Sequence, residues 1–290
     1  MDRRRCFVAA RVDGEVSFRG CFAVFHAVVS YVREREEREM RVMPTRSLTA
    51  RGKILGWERP LVCVPLVGRT PEGVLEEART VAAAAPDLLE VRADAWECAE
   101  RTGEAMALLA RLRESVEHLP LLFTCRSAAE GGFRPVGEDA RIRLFHAAVE
   151  ERLVDFVDLE LSCGRERLAA LKRRAAERGI FLVVSFHDFE GTPSREALLA
   201  TVAAQVEAGA DVAKVAVMPQ RPEDVLTLLA ATLEARRLFP ETPLVTVSMG
   251  ELGAASRVMG WLCGSDLTFA VGTAASAPGQ LPLAALRGVN

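Results

Sequence analysis

The chain has 290 residues, half of them apolar, with a net charge of −3 and a pI near 6.0. That is enough to bury a large core, as one α/β domain or two smaller ones, and the charge balance gives no long-range attraction for nucleic acid or anionic membranes. Seven scattered cysteines form no Cys-x-x-Cys and no pairing with histidine at ligand spacing, so the pattern predicts a reducing cytoplasm, no metal and no cofactor. No apolar run reaches the roughly 18 to 20 residues a membrane helix needs; the longest candidate, 22–32, is interrupted by His26 and Ser30.

Residues 1–45 read as an N-terminal extension that the folded domain can dispense with, and Met40 and Met43 are alternative starts. The acid-rich stretch from Glu34 to Glu39 argues against a targeting peptide. Ser47 to Trp57 has the pattern of a short hairpin. From residue 61 onward, short β-branched runs alternate with longer Ala/Leu/Glu/Arg stretches of helical spacing. The strand candidates are Leu61–Val67, Asp87–Val91, Leu121–Cys125, Phe156–Leu161, Phe181–Phe186, Val212–Val217, Leu244–Ser248 and Leu267–Val271. Eight βα units with right-handed crossovers predict a (β/α)8 barrel over residues 46–290, with the hairpin covering its bottom. The alternative, an open doubly wound sheet, lacks its usual sign, because no Gly-x-Gly-x-x-Gly or Gly-x-x-x-x-Gly-Lys follows a strand.

Only three lysines occur, Lys53, Lys172 and Lys214, against thirty-four arginines, and Lys214 lies in the apolar run Ala-Asp-Val-Ala-Lys-Val-Ala-Val. Where arginine serves as the ordinary solvated cation, such a lysine suggests an amine kept because it can lose its proton and attack a carbonyl. A snorkelling or salt-bridged strand lysine is the bland alternative. In a barrel, chemistry gathers at the C-terminal strand ends. Glu90 and Arg92 fall there, as do Arg126 with Glu130, Asp158 with Glu160, His187, Lys214, Arg257 and the stretch from Ser276 to Gln280. Each alone is an ordinary ion pair or cap; together they predict one shared polar pocket. His26, His118 and His146 read as structural.

These residues sit in Val62-Cys63-Val64-Pro65-Leu66-Val67-Gly68-Arg69, Leu89-Glu90-Val91-Arg92-Ala93-Asp94, Phe123-Thr124-Cys125-Arg126-Ser127 with Glu130-Gly131-Gly132, Ser185-Phe186-His187-Asp188-Phe189, Lys214-Val215-Ala216-Val217-Met218-Pro219 and Ser276-Ala277-Pro278-Gly279-Gln280. In that order the segments resemble the type I 3-dehydroquinate dehydratases of the shikimate pathway, over about residues 46 to 290. The resemblance implies a Schiff base on Lys214 with the ketone of 3-dehydroquinate, proton transfer by His187, and Glu130 orienting the imidazole and favouring its protonated form. It implies that Arg257 binds the substrate carboxylate, that Glu90, Arg92 and Arg126 hold ring hydroxyls while the guanidinium groups depress the pKa of Lys214, and that Ser276 and Gln280 close over the substrate. It further implies a cytoplasmic homodimer with a small-molecule partner. Pro65 departs from a serine found in some relatives, and the extension has no counterpart in the pattern. A class I aldolase and a catalytically silent quinate sensor on the same barrel are the rival readings. The first lacks a phosphate cradle here, and the second has no need of Lys214, His187 and Glu130 together.

Overall fold

The computed structural model describes residues 42–287. The extension assigned to residues 1–45 lies almost wholly outside them. Two short strands, β1 (Leu48–Ala50) and β2 (Lys53–Leu55), pair antiparallel. The main sheet follows: β3 (Leu61–Leu66), β4 (Leu88–Arg92), β5 (Leu121–Thr124), β6 (Phe156–Glu160), β7 (Phe181–Asp188), β8 (Val212–Val217), β9 (Leu244–Ser248) and β10 (Leu267–Val271). Between them run α1 (Pro71–Ala83), α2 (Thr102–Ser115), α3 (Glu138–Glu150), α4 (Arg165–Arg178), α5 (Arg195–Glu207), α6 (Pro222–Leu238) and α7 (Ala254–Met259). A short β11 (Leu281–Pro282) and α8 (Leu283–Arg287) end the described chain.

All pairings in the main sheet are parallel, and β10 lies beside β3. The last seam closes where Leu244 of β9 bridges Ser265, two residues before β10, and the Asp266 N–H donates to the Leu244 carbonyl at 2.6 Å. The result is the eight-stranded barrel predicted from the alternation. β11 is extra, an outrigger parallel to β10. It has only two residues, too short for hydropathy alternation to reveal.

Side chains alternate between the two faces of each strand. One set, including Val62, Val64, Leu89, Val91, Phe123, Val157, Leu159 and Val184, packs outward against α1 to α4. Ala213, Val215 and Val217 of β8 do the same against α5 and α6. The inward set is graded along the barrel axis. At the floor Leu61, Leu88, Leu122, Phe156, Val183, Val212, Val245 and Leu267 form an apolar layer, capped by Leu48, Ala50 and Leu55 of the hairpin. One step up, the same inward positions carry Glu90, Thr124, Asp158, Ser185 and Lys214.

The floor is fastened by a repeated device. Asp87, Asp155, Asp211 and Asp266 each stand just before an even-numbered strand, β4, β6, β8 or β10. Their carboxylates accept from the backbone N–H of Val62 at 2.9 Å, Leu121 at 2.8 Å, Leu182 at 2.9 Å and Leu244 at 2.7 Å, near the starts of the preceding strands. The hairpin segment supplies cations to three of them: Arg46 to Asp211, Arg51 to Asp155, and Lys53 and Arg59 to Asp87. Arg236 of α6 pairs with the fourth, Asp266. The hairpin is thereby an ion-paired plug of the barrel. Among the described residues no helix is long and apolar enough to cross a membrane.

Candidate active site

At the opposite end of the barrel a pocket of about 500 Å³ opens, lined by the nine residues given a site role, Glu90, Arg92, Arg126, Glu130, His187, Lys214, Arg257, Ser276 and Gln280, whereas Asp158 and Glu160, expected to converge with them, are fully buried and do not line it. Gly131, Phe189, Ala216, Val247, Met249, Phe269 and Ala277 complete its wall. The parallel register explains the convergence, because it sets Ser185 beside Lys214 and His187 beside Ala216 on neighbouring strands.

Lys214 is buried, 6% exposed. Its Nζ lies 2.7 Å from Asp158 Oδ2 and 3.8 Å from Glu90 Oε1, and 4.7 Å from the centre of the Phe269 ring. This corrects the reading of Lys214 as an amine in apolar surroundings. The valines next to it in sequence, Val215 and Val217, point outward to the helices; the lysine shares its inward layer with two carboxylates. Nor are the guanidinium groups of Arg126 and Arg92 bare. Arg126 pairs with Asp158 at 2.8 Å and Glu160 at 3.2 Å and donates to Ser185 Oγ at 2.7 Å. Arg92 grips Asp94 through two parallel bonds at 3.0 and 2.8 Å and lies over the Phe133 ring.

Asp158 also accepts the Ser185 hydroxyl at 2.6 Å. Burial works against its charge, but Arg126 and Lys214 outweigh burial and hold its carboxyl far below the usual range. Asp158 is a fixed anion, unable to act as a base near neutrality. Asp158, Asp94 and Ser185 received no role from the sequence, although Asp158 stood among the converging polar residues. The available signal was strand parity: Asp158 occupies the same inward layer as Lys214.

His187 is held by Glu130, whose Oε2 accepts both the His187 backbone N–H at 3.0 Å and ring Nδ1 at 3.1 Å. Ser162 donates its hydroxyl to Oε1 at 2.6 Å. Burial raises the Glu130 carboxyl. Burial also drives His187 well below the ordinary imidazole value, with Arg126 and Lys214 adding to the effect. The expectation of an imidazole poised toward its protonated form is therefore corrected: burial, with Arg126 and Lys214 beside the ring, outweighs the pull of Asp158. With His187 neutral, the Nδ1 proton is assigned to the bond with Glu130, and Nε2 keeps its lone pair. The turn that delivers Glu130 needs its glycines. Gly131 has φ +86°, and a Cβ there would lie 2.4 Å from the Phe189 ring; one on Gly132 would lie 2.4 Å from the Arg126 carbonyl.

Arg257 differs from the other pocket cations. It is 3% exposed, its Nη2 donates to the Pro278 carbonyl at 2.9 Å, and Nε finds no partner among the described residues. No carboxylate among the described residues compensates it, and burial pushes its guanidinium down to about 10. Such a site is built to receive an anion. The same Pro278 carbonyl accepts the Gly250 N–H at 3.2 Å, so the stretch from Ser276 to Gln280 is folded over the pocket. Gln280 ties that loop internally, accepting the Ser276 N–H at 2.9 Å and donating to its hydroxyl at 3.0 Å.

Comparison with known proteins agrees with this geometry. The family model for type I 3-dehydroquinase matches residues 62–289. The chain belongs to the type I 3-dehydroquinase family. It is 45% identical to the 3-dehydroquinate dehydratase of Aromatoleum aromaticum, over 84% of this chain and 95% of that one. It is likewise 45% identical to the enzyme of that name from Geobacillus kaustophilus, over 86% and 96%. The crystal structure of the latter superposes with a TM-score of 0.83 at 44% identity, again over 86% of this chain and 96% of that one. A Clostridium difficile type I 3-dehydroquinate dehydratase, described with covalently modified comenic acid, superposes at TM-score 0.81 and 36% identity, over 84% and 96%.

Proposed function

We propose that this chain dehydrates 3-dehydroquinate to 3-dehydroshikimate through an imine on Lys214, and that the nine pocket residues hold the substrate and carry the chemistry. The observation that carries the proposal is a buried lysine, an imidazole held by Glu130 and a buried guanidinium with no carboxylate partner among the described residues, all lining one pocket. Arg257 receives the substrate carboxylate by two charge-assisted bonds and fixes the ring. Nζ of Lys214 gives a proton to His187 and adds to the C3 ketone, and the same proton, returned to the carbinolamine oxygen, lets it leave as water from an iminium whose positive charge stays against Asp158. The iminium acidifies C2; Nε2 of His187 takes the proton while the electron pair moves toward nitrogen as an enamine. That pair then expels the C1 hydroxyl, which leaves as water with the proton returned by His187. Hydrolysis releases the enone and regenerates the amine. Glu90, Arg92 and Arg126 hold ring hydroxyls, and Ser276 and Gln280 close the pocket.

Appearance of the conjugated enone absorbance on mixing with 3-dehydroquinate tests the reaction. Lys214→Ala should abolish it. His187→Ala should still trap ligand covalently on Lys214, yet lose about a hundredfold or more in turnover, as expected when general acid/base catalysis is removed. Near wild-type turnover in His187→Ala overturns the assignment of the base. Cytoplasmic action and a homodimer belong to the same proposal. The unpaired thiols of Cys63, Cys98, Cys125, Cys163 and Cys263 support the first, and light scattering on the purified protein tests the second.

A further inference from the structure

Glu130 is the hinge between the imidazole and the rest of the protein, and its two oxygens are served unequally. Oε2 takes two donors from His187, the backbone N–H at 3.0 Å and Nδ1 at 3.1 Å. Oε1 takes one donor among the described residues, the Ser162 hydroxyl at 2.6 Å. Ser162 lies in the short 3-10 turn Leu161–Cys163 that follows β6, outside the ring of pocket-lining residues, and it is exposed. It therefore touches Glu130 without lining the pocket.

The charges facing Glu130 leave it dependent on that donor. Glu160 of β6 repels it, and Arg126 after β5 attracts it but is already matched to Asp158 and Glu160. Arg92 reaches the neighbouring Gly131 carbonyl but is committed to Asp94. From β7 His187 offers neutral donors. Burial itself disfavours the carboxylate. We propose that Ser162 is a positioning residue: by donating to Oε1 it keeps Glu130 ionised and turned toward His187, and so sets the lower pH limit of the dehydration. The inference rests on His187 being the base.

The sign follows from the bond. Removing a donor to the carboxylate disfavours its charged form and, equally, leaves it more basic toward an imidazolium; either way the His187–Glu130 pair takes up its proton at higher pH. Ser162→Ala should therefore move the acid limb of kcat/KM up by about half a pH unit or more, with the alkaline limb unchanged and the plateau rate within about threefold. Ser162→Thr, which keeps the hydroxyl, should restore the wild-type limb. A titration of the His187 Cε1 proton by NMR, assigned with His187→Ala, should show the same upward movement in Ser162→Ala without substrate. An unmoved midpoint and limb in Ser162→Ala, a uniform loss of rate at all pH, or an equal movement in Ser162→Thr would overturn the inference. Should the protein not dehydrate 3-dehydroquinate, no rate profile exists, yet the NMR titration still tests the hold of Ser162 on the pair.

Discussion

Replacing Arg257 by methionine separates binding from stability. In the free protein this guanidinium is buried without a carboxylate partner among the described residues, and burial brings it to about 10. Against an ordinary value above 12, that corresponds to about 3 kcal/mol of strain on its charged form. Methionine has a comparable stem, fills the space and carries no charge. Its cost is the bond to the Pro278 carbonyl at 2.9 Å, about 1 kcal/mol, because Gly250 still donates to that oxygen. The variant should gain about 1 to 2 kcal/mol, or a Tm higher by roughly 2 to 8 °C for a chain of this size. It should lose the substrate carboxylate, and with it about 2 to 5 kcal/mol of binding, seen as a fall in kcat/KM of roughly thirtyfold to several thousandfold. Product should raise the Tm of the wild type and scarcely that of the variant, as linkage requires. Thermal melts with and without product, beside initial rates, give both halves. A less stable Arg257→Met, or one with an unchanged KM, would refute the picture of an uncompensated cation waiting for an anion.

The closing loop is sterically tight at Gly279, where φ is +73° and a Cβ would lie 2.0 Å from the Gly250 carbonyl. Gly279→Ala should keep the loop from seating, raising KM and lowering kcat together by about tenfold with little change in Tm, as steady-state kinetics and melting will show. Acid stability follows from Asp87, Asp94 and Asp158, whose carboxyls are depressed because cations and donors outweigh the cost of burial. Depressed folded values place this stabilisation fully above the unfolded value near 4 and remove it as pH falls below that. Urea titrations between pH 7 and pH 3 should therefore show stability falling steeply only below about pH 4. A chain begun at Met43 keeps Arg46, Arg51, Lys53 and Arg59 on their aspartates and should stay folded and active; one begun at Leu61 loses the plug and should be insoluble or melt far lower, which expression and calorimetry will decide.

Much of the barrel was legible because its strands are β-branched runs set between helices of clear period. The strands expected at Val212–Val217, Leu244–Ser248 and Leu267–Val271 match the observed bounds, and the others differ by one or two residues at their ends. The nine site residues could be named because the motifs around them are ordered and polar residues at strand ends of an apolar barrel need a common pocket. What could not be read was phase. In a strand buried on both faces, Val215 and Val217 look like the surroundings of Lys214, whereas they face the helices and Asp158, fifty-six residues away in sequence, faces the amine. The same blindness hid the state of His187, since burial and the sum of Arg126, Lys214 and Asp158 are spatial quantities. Ser162 and the fourfold aspartate device were equally invisible, each being defined by a partner distant in sequence.

Borohydride reduction in the presence of 3-dehydroquinate or its product tests the central claim most directly. Proteolysis and mass spectrometry should find a stable added mass on the peptide containing Lys214, with Lys53 and Lys172 unmodified. Those two serve as internal controls, since they pair with Asp87 and Asp211 at the barrel floor, far from the pocket. Label on another lysine, or turnover without any label on Lys214, would contradict the imine mechanism.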